Sequence, residues 1–238
     1  MDDRPVSVTL GWRLTRAVKW IILINVVVFL VEVITVNWLD QKGMIEHLAV
    51  VPVRTFYQLE LWQPFTYLWL HSPRDPMHLV LNMLFLWMFG SPLEQAWGSR
   101  NLWTFYLVSG VGAGLAVAVV GIFFEPDVPT LGASGAIYGL VAAFGLRFPE
   151  TRIFLLGIFP IKGKHFVLIP IGYAILDFLT RATGTSHVAH LGGLVIGALL
   201  VKGWWRPSRL VTSVRHALLK RRLKSLRPLD DERPPYLH

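Results

Sequence analysis

The feature that most constrains this fold is a set of apolar runs comparable in length to the thickness of a lipid bilayer. One run covers residues 17–39 and another covers residues 102–124. An α-helix rises 1.5 Å per residue, so runs of this length can cross roughly 30 Å of hydrocarbon. Because 53% of the 238 residues are hydrophobic and only 16% are charged, the chain is predicted to be a multi-pass membrane protein.

The predicted fold is an all-α polytopic membrane domain over residues 17–204, with a cytoplasmic N-terminal segment (1–16) and a basic cytoplasmic tail (205–238). Six transmembrane helices are predicted: 17–39, 78–97, 102–124, 134–148, 166–179 and 187–204. The fourth is a short central helix of about fifteen residues, roughly 22 Å, which is too short to cross the hydrocarbon. Its first residue, Ser134, is therefore expected below the membrane surface, beside a water-filled cavity.

The distribution of basic residues predicts the orientation of the spans. The two terminal segments, the turn at Arg100 and the loop over residues 147–164 are basic, whereas residues 125–130 contain no Lys or Arg. The positive-inside rule then places both termini in the cytoplasm, and a cytoplasmic cell membrane is the expected location. Since the net charge of +8 is explained by topology, the lipid bilayer is an expected partner and nucleic acid is not.

The short fourth helix begins at a serine surrounded by small residues, in the sequence Leu-Gly-Ala-Ser-Gly over residues 131–135. The Ser134 hydroxyl would lie near backbone N–H groups that have no helical partner, at the positive end of the helix dipole. A serine needs a base to act as a nucleophile, and His190 in the sixth span is the candidate. The alternative is helix packing, because small residues are ordinary where membrane helices meet and Gly193 and Gly197 have Gly-x-x-x-Gly spacing.

Three further polar residues within the spans stand out. His78 and Asn82 are four residues apart, so both lie on one face near the start of the second span, at the same predicted depth as Ser134. Packing alone does not require such convergence. Glu32 in the first span is expected to face the bundle and to find a hydrogen-bond donor there.

No metal or cofactor is expected from the sequence. The chain contains no Cys, which leaves His and carboxylates as the available ligands. These residue types do not cluster at metal-ligand spacing anywhere in the sequence.

Together these motifs resemble those of the bacterial-type rhomboid intramembrane serine proteases. The match covers roughly residues 60–200, and its parts occur in the order found in the family. The residues that carry it are Gly132-Ala133-Ser134-Gly135 with Tyr138, Ala189-His190 with Gly193 and Gly197, and His78-x-x-x-Asn82 followed by Glu94 and Gly98.

The resemblance implies a Ser-His dyad without a third acid, with Ser134 as nucleophile and His190 as base. It also implies an oxyanion hole formed by His78, Asn82 and the backbone N–H of Ser134, and an aromatic ring at Tyr138 that packs against the catalytic histidine. The supporting glycines of the motifs are Gly132, Gly135, Gly193 and Gly197.

The activity implied by the resemblance is an endopeptidase that cleaves the transmembrane segments of other membrane proteins. A proteolytically inactive relative that binds or escorts such segments is one alternative, although it would typically lack the serine or the histidine. A small transporter is another, which discontinuous helices in corresponding halves would favour. One departure is visible: the family often has Trp-Arg where this chain has Trp62-Gln63, and this puts a loop-anchoring contact of that arginine in doubt.

Overall fold

The computed structural model describes residues 13–41, 43–155, 159–180 and 187–201. This part of the chain is mostly helical, and three helical segments in it are long and apolar enough to cross a membrane: Arg16–Trp38, Pro76–Trp97 and Ser99–Phe124. Two shorter apolar helices are Gly163–Leu176 and His187–Val201. The six-span arrangement stays a prediction, and the predicted tail over residues 205–238 lies outside the described residues.

The secondary structure follows the apolar runs and their capping residues. The helices are α1 (Arg16–Val33), α2 (Gly43–Leu48), α3 (Pro52–Tyr57), α4 (Gln63–Thr66), α5 (Pro76–Phe85), α6 (Ser91–Trp97), α7 (Ser99–Phe124), α8 (Ser134–Arg147), α9 (Gly163–Phe166), α10 (Leu168–Thr180) and α11 (His187–Val201). A π-helical turn, Ile34–Trp38, continues α1, and another, Leu86–Gly90, joins α5 to α6. A 3₁₀ turn, Tyr67–Trp69, follows α4.

A β-hairpin lies between α8 and α9, so the purely α-helical prediction is wrong for this segment. Strands β1 (Arg152–Leu155) and β2 (Phe159–Lys162) are antiparallel, with Arg152 opposite Lys162. The sequence predicts a loop for this segment, because basic residues flank it. Its apolar stretches are too short to span a membrane but rich in the β-branched and aromatic residues that favour strands.

The N-terminus of α1 is held by a carboxylate from the second spanning segment. Glu94 is buried, and it accepts hydrogen bonds from the backbone N–H of Ala17 at 2.8 Å and of Val18 at 3.1 Å. The hydroxyls of Thr15 and Ser99 donate to the same carboxylate. The first N–H groups of a helix have no partner within it, and an anion there is also favoured by the helix dipole. Glu94 therefore ties the start of α1 to the end of α6.

Helices α8 and α11 meet at backbone distance. A Cβ atom added to Gly197 would lie 2.5 Å from the Cα atom of Gly139, and one added to Gly193 would overlap the carbonyl oxygen of Gly135. Since lipid is as apolar as most side chains, membrane helices associate through close packing of this kind. The two helices that carry the predicted serine and histidine are thus in direct backbone contact.

The segment between the first and second spans is organised by the side chain of Gln63. This residue is fully buried, and its Oε1 accepts from the Val51 N–H at 3.0 Å and from the Thr55 hydroxyl at 2.6 Å. Its Nε2 donates to the Glu60 carboxylate at 2.5 Å. A buried amide needs partners at both ends, so these bonds join α3 to α4.

We predict that Gly193→Ala destabilises the protein, because the added methyl group meets the backbone of α8 rather than a movable side chain. Overpacking of this kind costs about 1–3 kcal/mol, which lowers the Tm measured in detergent. Gly172→Ala in α10 is the matched control, since a Cβ atom there meets nothing within 4 Å. Equal Tm values for the two variants would contradict the backbone contact.

We also predict that Gln63→Leu lowers the Tm, because it leaves the buried Val51 N–H without its acceptor, whereas the Thr55 hydroxyl can still donate to the Val51 carbonyl. Each buried polar group that loses its partner costs about 1–3 kcal/mol. Gln58→Leu serves as the control because Gln58 is exposed in the same segment. The proposed anchoring is wrong if thermal melting cannot distinguish the two leucine variants.

Candidate active site

Ser134 and His190 are brought together from α8 and α11. Ser134 Oγ lies 2.9 Å from His190 Nε2, although the two residues are 56 positions apart in the sequence. His190 is buried, and Ser134 is half-buried. The distance is that of a hydrogen bond, and the glycine contact between the two helices makes it possible.

The ring of Tyr138 lies flat against the ring of His190. The two ring centroids are 4.1 Å apart, and the planes differ by 2°. Tyr138 is four residues after Ser134 and therefore on the same face of α8. The stack restricts rotation of the imidazole, so Nε2 stays directed toward Ser134.

The loop that leads into α8 is fixed by backbone hydrogen bonds. Val50 and Thr130 exchange N–H···O bonds of 2.9 and 2.8 Å, and the Gly132 N–H donates to the Tyr67 carbonyl at 2.9 Å. Gly132 has φ +126°, a conformation that side chains rarely permit. A Cβ atom there would also lie 2.9 Å from Cε1 and 3.0 Å from Nε2 of His78, so only glycine allows this approach.

The glycine after the serine is equally constrained. A Cβ atom on Gly135 would lie 2.7 Å from the Cβ atom of Ala113 and 2.9 Å from the Tyr67 hydroxyl oxygen. The first turn of α8 is therefore pressed against α7 and the 3₁₀ turn. Its N–H groups have no carbonyl partner one turn earlier in the helix.

His78 and Asn82 lie on α5, whose first turn is capped by the Asp75 carboxylate accepting from the Met77 N–H at 3.2 Å. Asn82 is buried, and its Nδ2 donates to the His78 carbonyl at 2.8 Å. The side-chain amide nitrogen of Asn82 carries two hydrogens. One is used in the bond to the His78 carbonyl, and the second remains available as a donor.

A cavity of about 680 Å³ connects these groups. It is lined by α5, by the loop before α8, and by α8, α10 and α11. His78, Asn82, Ser134, Tyr138 and His190 all contribute to its walls. Its volume is in the range of ligand-binding sites, and most of its other lining residues are apolar.

Two buried residues, His71 and Glu32, adjoin this site. No sequence pattern indicates a role for His71. His71 is fully buried, and its ring centroid lies 5.1 Å from that of His78. Burial lowers the pKa of His71 to about 3, with His78 acting in the same direction, so the ring is neutral at physiological pH. Glu32 finds its donor here, because its carboxylate oxygens lie 3.0 and 3.2 Å from the His71 backbone nitrogen.

The described ranges contain no group of three His, Asp or Glu residues arranged to hold a metal ion.

Comparison with known proteins identifies the family. The rhomboid domain profile matches residues 58–206. Rhomboid protein 1, mitochondrial, of Saccharomyces cerevisiae is 34% identical over 145 residues, which is 56% of this chain and 39% of that protein. Rhomboid protease AarA of Providencia stuartii is 28% identical over 199 residues, which is 76% of this chain and 69% of that protein. The chain thus spans about two fifths of the yeast relative's length. With its rhomboid domain extending over more than half of its length, the chain belongs to the rhomboid family.

Proposed function

We propose that the protein is an intramembrane serine endopeptidase that cleaves the transmembrane segments of membrane proteins. The observation that carries the proposal is the 2.9 Å contact between Ser134 Oγ and His190 Nε2 inside a cavity. A relative from Providencia stuartii is named as a rhomboid protease, which supports the same reaction. An inactive binder of transmembrane segments would not need this contact, and no observation in the described residues favours a transporter.

In the proposed reaction His190 acts first as a general base. Its Nε2 takes the proton from Ser134 as Oγ attacks the carbonyl carbon of the scissile peptide bond. The imidazolium then donates that proton to the leaving amine, and an acyl-enzyme remains. Water attacks this ester with His190 again as base, releasing the carboxylate product and restoring Ser134.

Tyr138 supports this cycle through its stack on His190. The stack keeps the imidazole in the plane needed to reach Ser134 Oγ in both proton-transfer steps. It also places an electron-rich ring face against the imidazole while that ring carries a positive charge.

The oxyanion of the tetrahedral intermediate is proposed to bind His78, Asn82 and the N–H of Ser134. His78 packs against Gly132, directly before the start of α8. Asn82 lines the same cavity and keeps an amide hydrogen beyond the one given to the His78 carbonyl. Donors that are placed in advance in a largely apolar cavity stabilise charge without reorganisation, which is where such groups are most effective.

The substrate is proposed to enter from lipid, because the cavity has apolar walls from both α5 and α10. Leu81 and Phe85 contribute from α5, and Pro170 and Tyr173 contribute from α10. A transmembrane segment must unwind locally to expose a peptide bond to Ser134, so helix-breaking residues near the cleavage site are expected.

The proposed location is the cytoplasmic cell membrane with both termini in the cytoplasm. The proposal rests on the basic segments at residues 147–164 and in the tail, and on the absence of Lys and Arg at residues 125–130. The relatives include proteins named as mitochondrial and chloroplastic. Labelling of introduced single cysteines from the two sides of the membrane tests the orientation.

We predict that Ser134→Ala abolishes cleavage of a model transmembrane substrate, with a loss of at least about 10³-fold, because no other group replaces the nucleophile. The Tm should stay unchanged, since the substitution removes one half-buried hydroxyl. A fluorophosphonate probe should label the wild-type enzyme and not this variant.

The control for this experiment is Ser91→Ala, which removes a buried serine hydroxyl that makes no hydrogen bond within the described residues. This variant should keep both cleavage and labelling. Cleavage by Ser134→Ala at the wild-type rate would refute the proposed mechanism.

We predict that Asn82→Ala lowers kcat by about 10²–10³-fold, as expected when an oxyanion donor is removed. KM should change little, because the interaction is made only in the transition state. Asn101→Ala is the matched control, since Asn101 donates to the Trp97 carbonyl at 2.7 Å in the same local arrangement but on an exposed part of α7.

A packing role for Asn82 makes the opposite prediction. The variant would then lose thermal stability, while kcat per folded molecule would equal that of the Asn101→Ala control. Measuring kcat, KM and Tm for both variants distinguishes the two roles.

A further inference from the structure

We propose that Glu32 and His71 form a positioning pair that holds the His78 ring in the orientation required for oxyanion stabilisation. The inference rests on the proposed proteolytic function and extends it to the first span, which contributes no residue to the lining of the cavity. It also gives the buried carboxyl group of Glu32 a role in the reaction.

The first step is the contact between Glu32 and the backbone of His71. Glu32 is fully buried in α1, and both of its carboxylate oxygens lie within 3.2 Å of the same nitrogen, at 3.0 and 3.2 Å. A buried carboxyl group is costly without a partner, so the structure resists any movement that breaks this contact. The backbone at His71 is therefore fixed relative to the first span.

The second step is the contact between the two imidazole rings. The His71 ring is fully buried, and it meets the His78 ring at a centroid distance of 5.1 Å with the planes 56° apart. Close packing in a protein interior leaves a buried ring little room to rotate. On another side, His78 Cε1 and Nε2 approach Gly132 so closely that a Cβ atom there would lie at 2.9 and 3.0 Å. The orientation of His78 is thus constrained by both His71 and Gly132.

The third step links orientation to rate. A histidine stabilises an oxyanion only when its N–H is directed at the oxygen, and a displacement of about 1 Å can cost roughly 100-fold in rate. Neither Glu32 nor His71 lines the cavity. Losing the positioning pair should therefore lower kcat through His78 without weakening the binding of substrate.

The test uses Glu32→Leu in the full-length protein, with a fluorogenic transmembrane substrate in detergent. Leucine is favourable in a membrane span, so the variant should fold. Its Tm should be lower than that of the wild type, because the buried His71 N–H loses its acceptor, and kcat is therefore compared per folded molecule. We expect kcat to fall by about 10- to 100-fold, with KM changed by less than about twofold. Glu32→Gln keeps a side-chain oxygen that can accept from the His71 N–H, and it should recover most of the kcat.

The matched control is Asn25→Leu on the same helix. Asn25 is also fully buried, but its Nδ2 donates to the carbonyl of Ile21 at 2.8 Å, within α1. This variant measures the general effect of replacing a buried polar residue of the first span by leucine, and its kcat should match the wild type. An equal loss of kcat in Asn25→Leu and Glu32→Leu, or no recovery in Glu32→Gln, would overturn the inference.

A double-mutant cycle with His78→Ala tests the path of the effect. If Glu32 acts through His78, then Glu32→Leu should lower kcat only slightly more once His78 is already alanine. An equal fold-change in both backgrounds contradicts the positioning pair.

The two proposals can fail separately. A wild-type protein that neither cleaves the substrate nor reacts with the fluorophosphonate probe would refute the proposed function. An active, labelled wild type whose kcat is unaffected by Glu32→Leu would refute the positioning pair alone.

Discussion

The rest of this structure depends on the backbone contact between α8 and α11. Gly135 and Gly139 of one helix face Gly193 and Gly197 of the other, with no side chain between them. Hydrophobic burial contributes little to helix association in lipid, so close packing of this kind is what holds the helices together. It places Ser134 Oγ 2.9 Å from His190 Nε2, and any side chain at these glycines would increase that distance.

Three buried polar side chains join the segments around this pair of helices to one another. Glu94 caps the start of α1, Gln63 joins α3 to α4, and Glu32 holds the backbone at His71. A buried polar group strongly favours the one arrangement in which its partners are satisfied. These contacts therefore specify the paths of the loops around the cavity more than they add to stability. At the position after Trp62, the amide of Gln63 accepts from Val51 and Thr55 and donates to Glu60.

The spans and the family were predictable to different degrees. The first two predicted spans, 17–39 and 78–97, agree with Arg16–Trp38 and Pro76–Trp97 to within two residues at each end. The membership of the rhomboid family is confirmed by the match over residues 58–206. The sequence does not predict the β-hairpin between α8 and α9, because pairing between two short apolar stretches produces no helical or transmembrane pattern. The six-span count, the orientation and the catalytic roles stay predictions.

The sequence alone determined those features that depend on neighbours along the chain. The length of an apolar run limits what can span a membrane, and the spacing of His78 and Asn82 puts both on one helix face. Only the tertiary structure decided which residues meet across the fold. Glu32 and His71 are 39 positions apart, and Ser134 and His190 are 56 apart. Whether such residues touch depends on the rotation of each helix about its axis and on the path of the loops between them, and packing of the whole domain sets both.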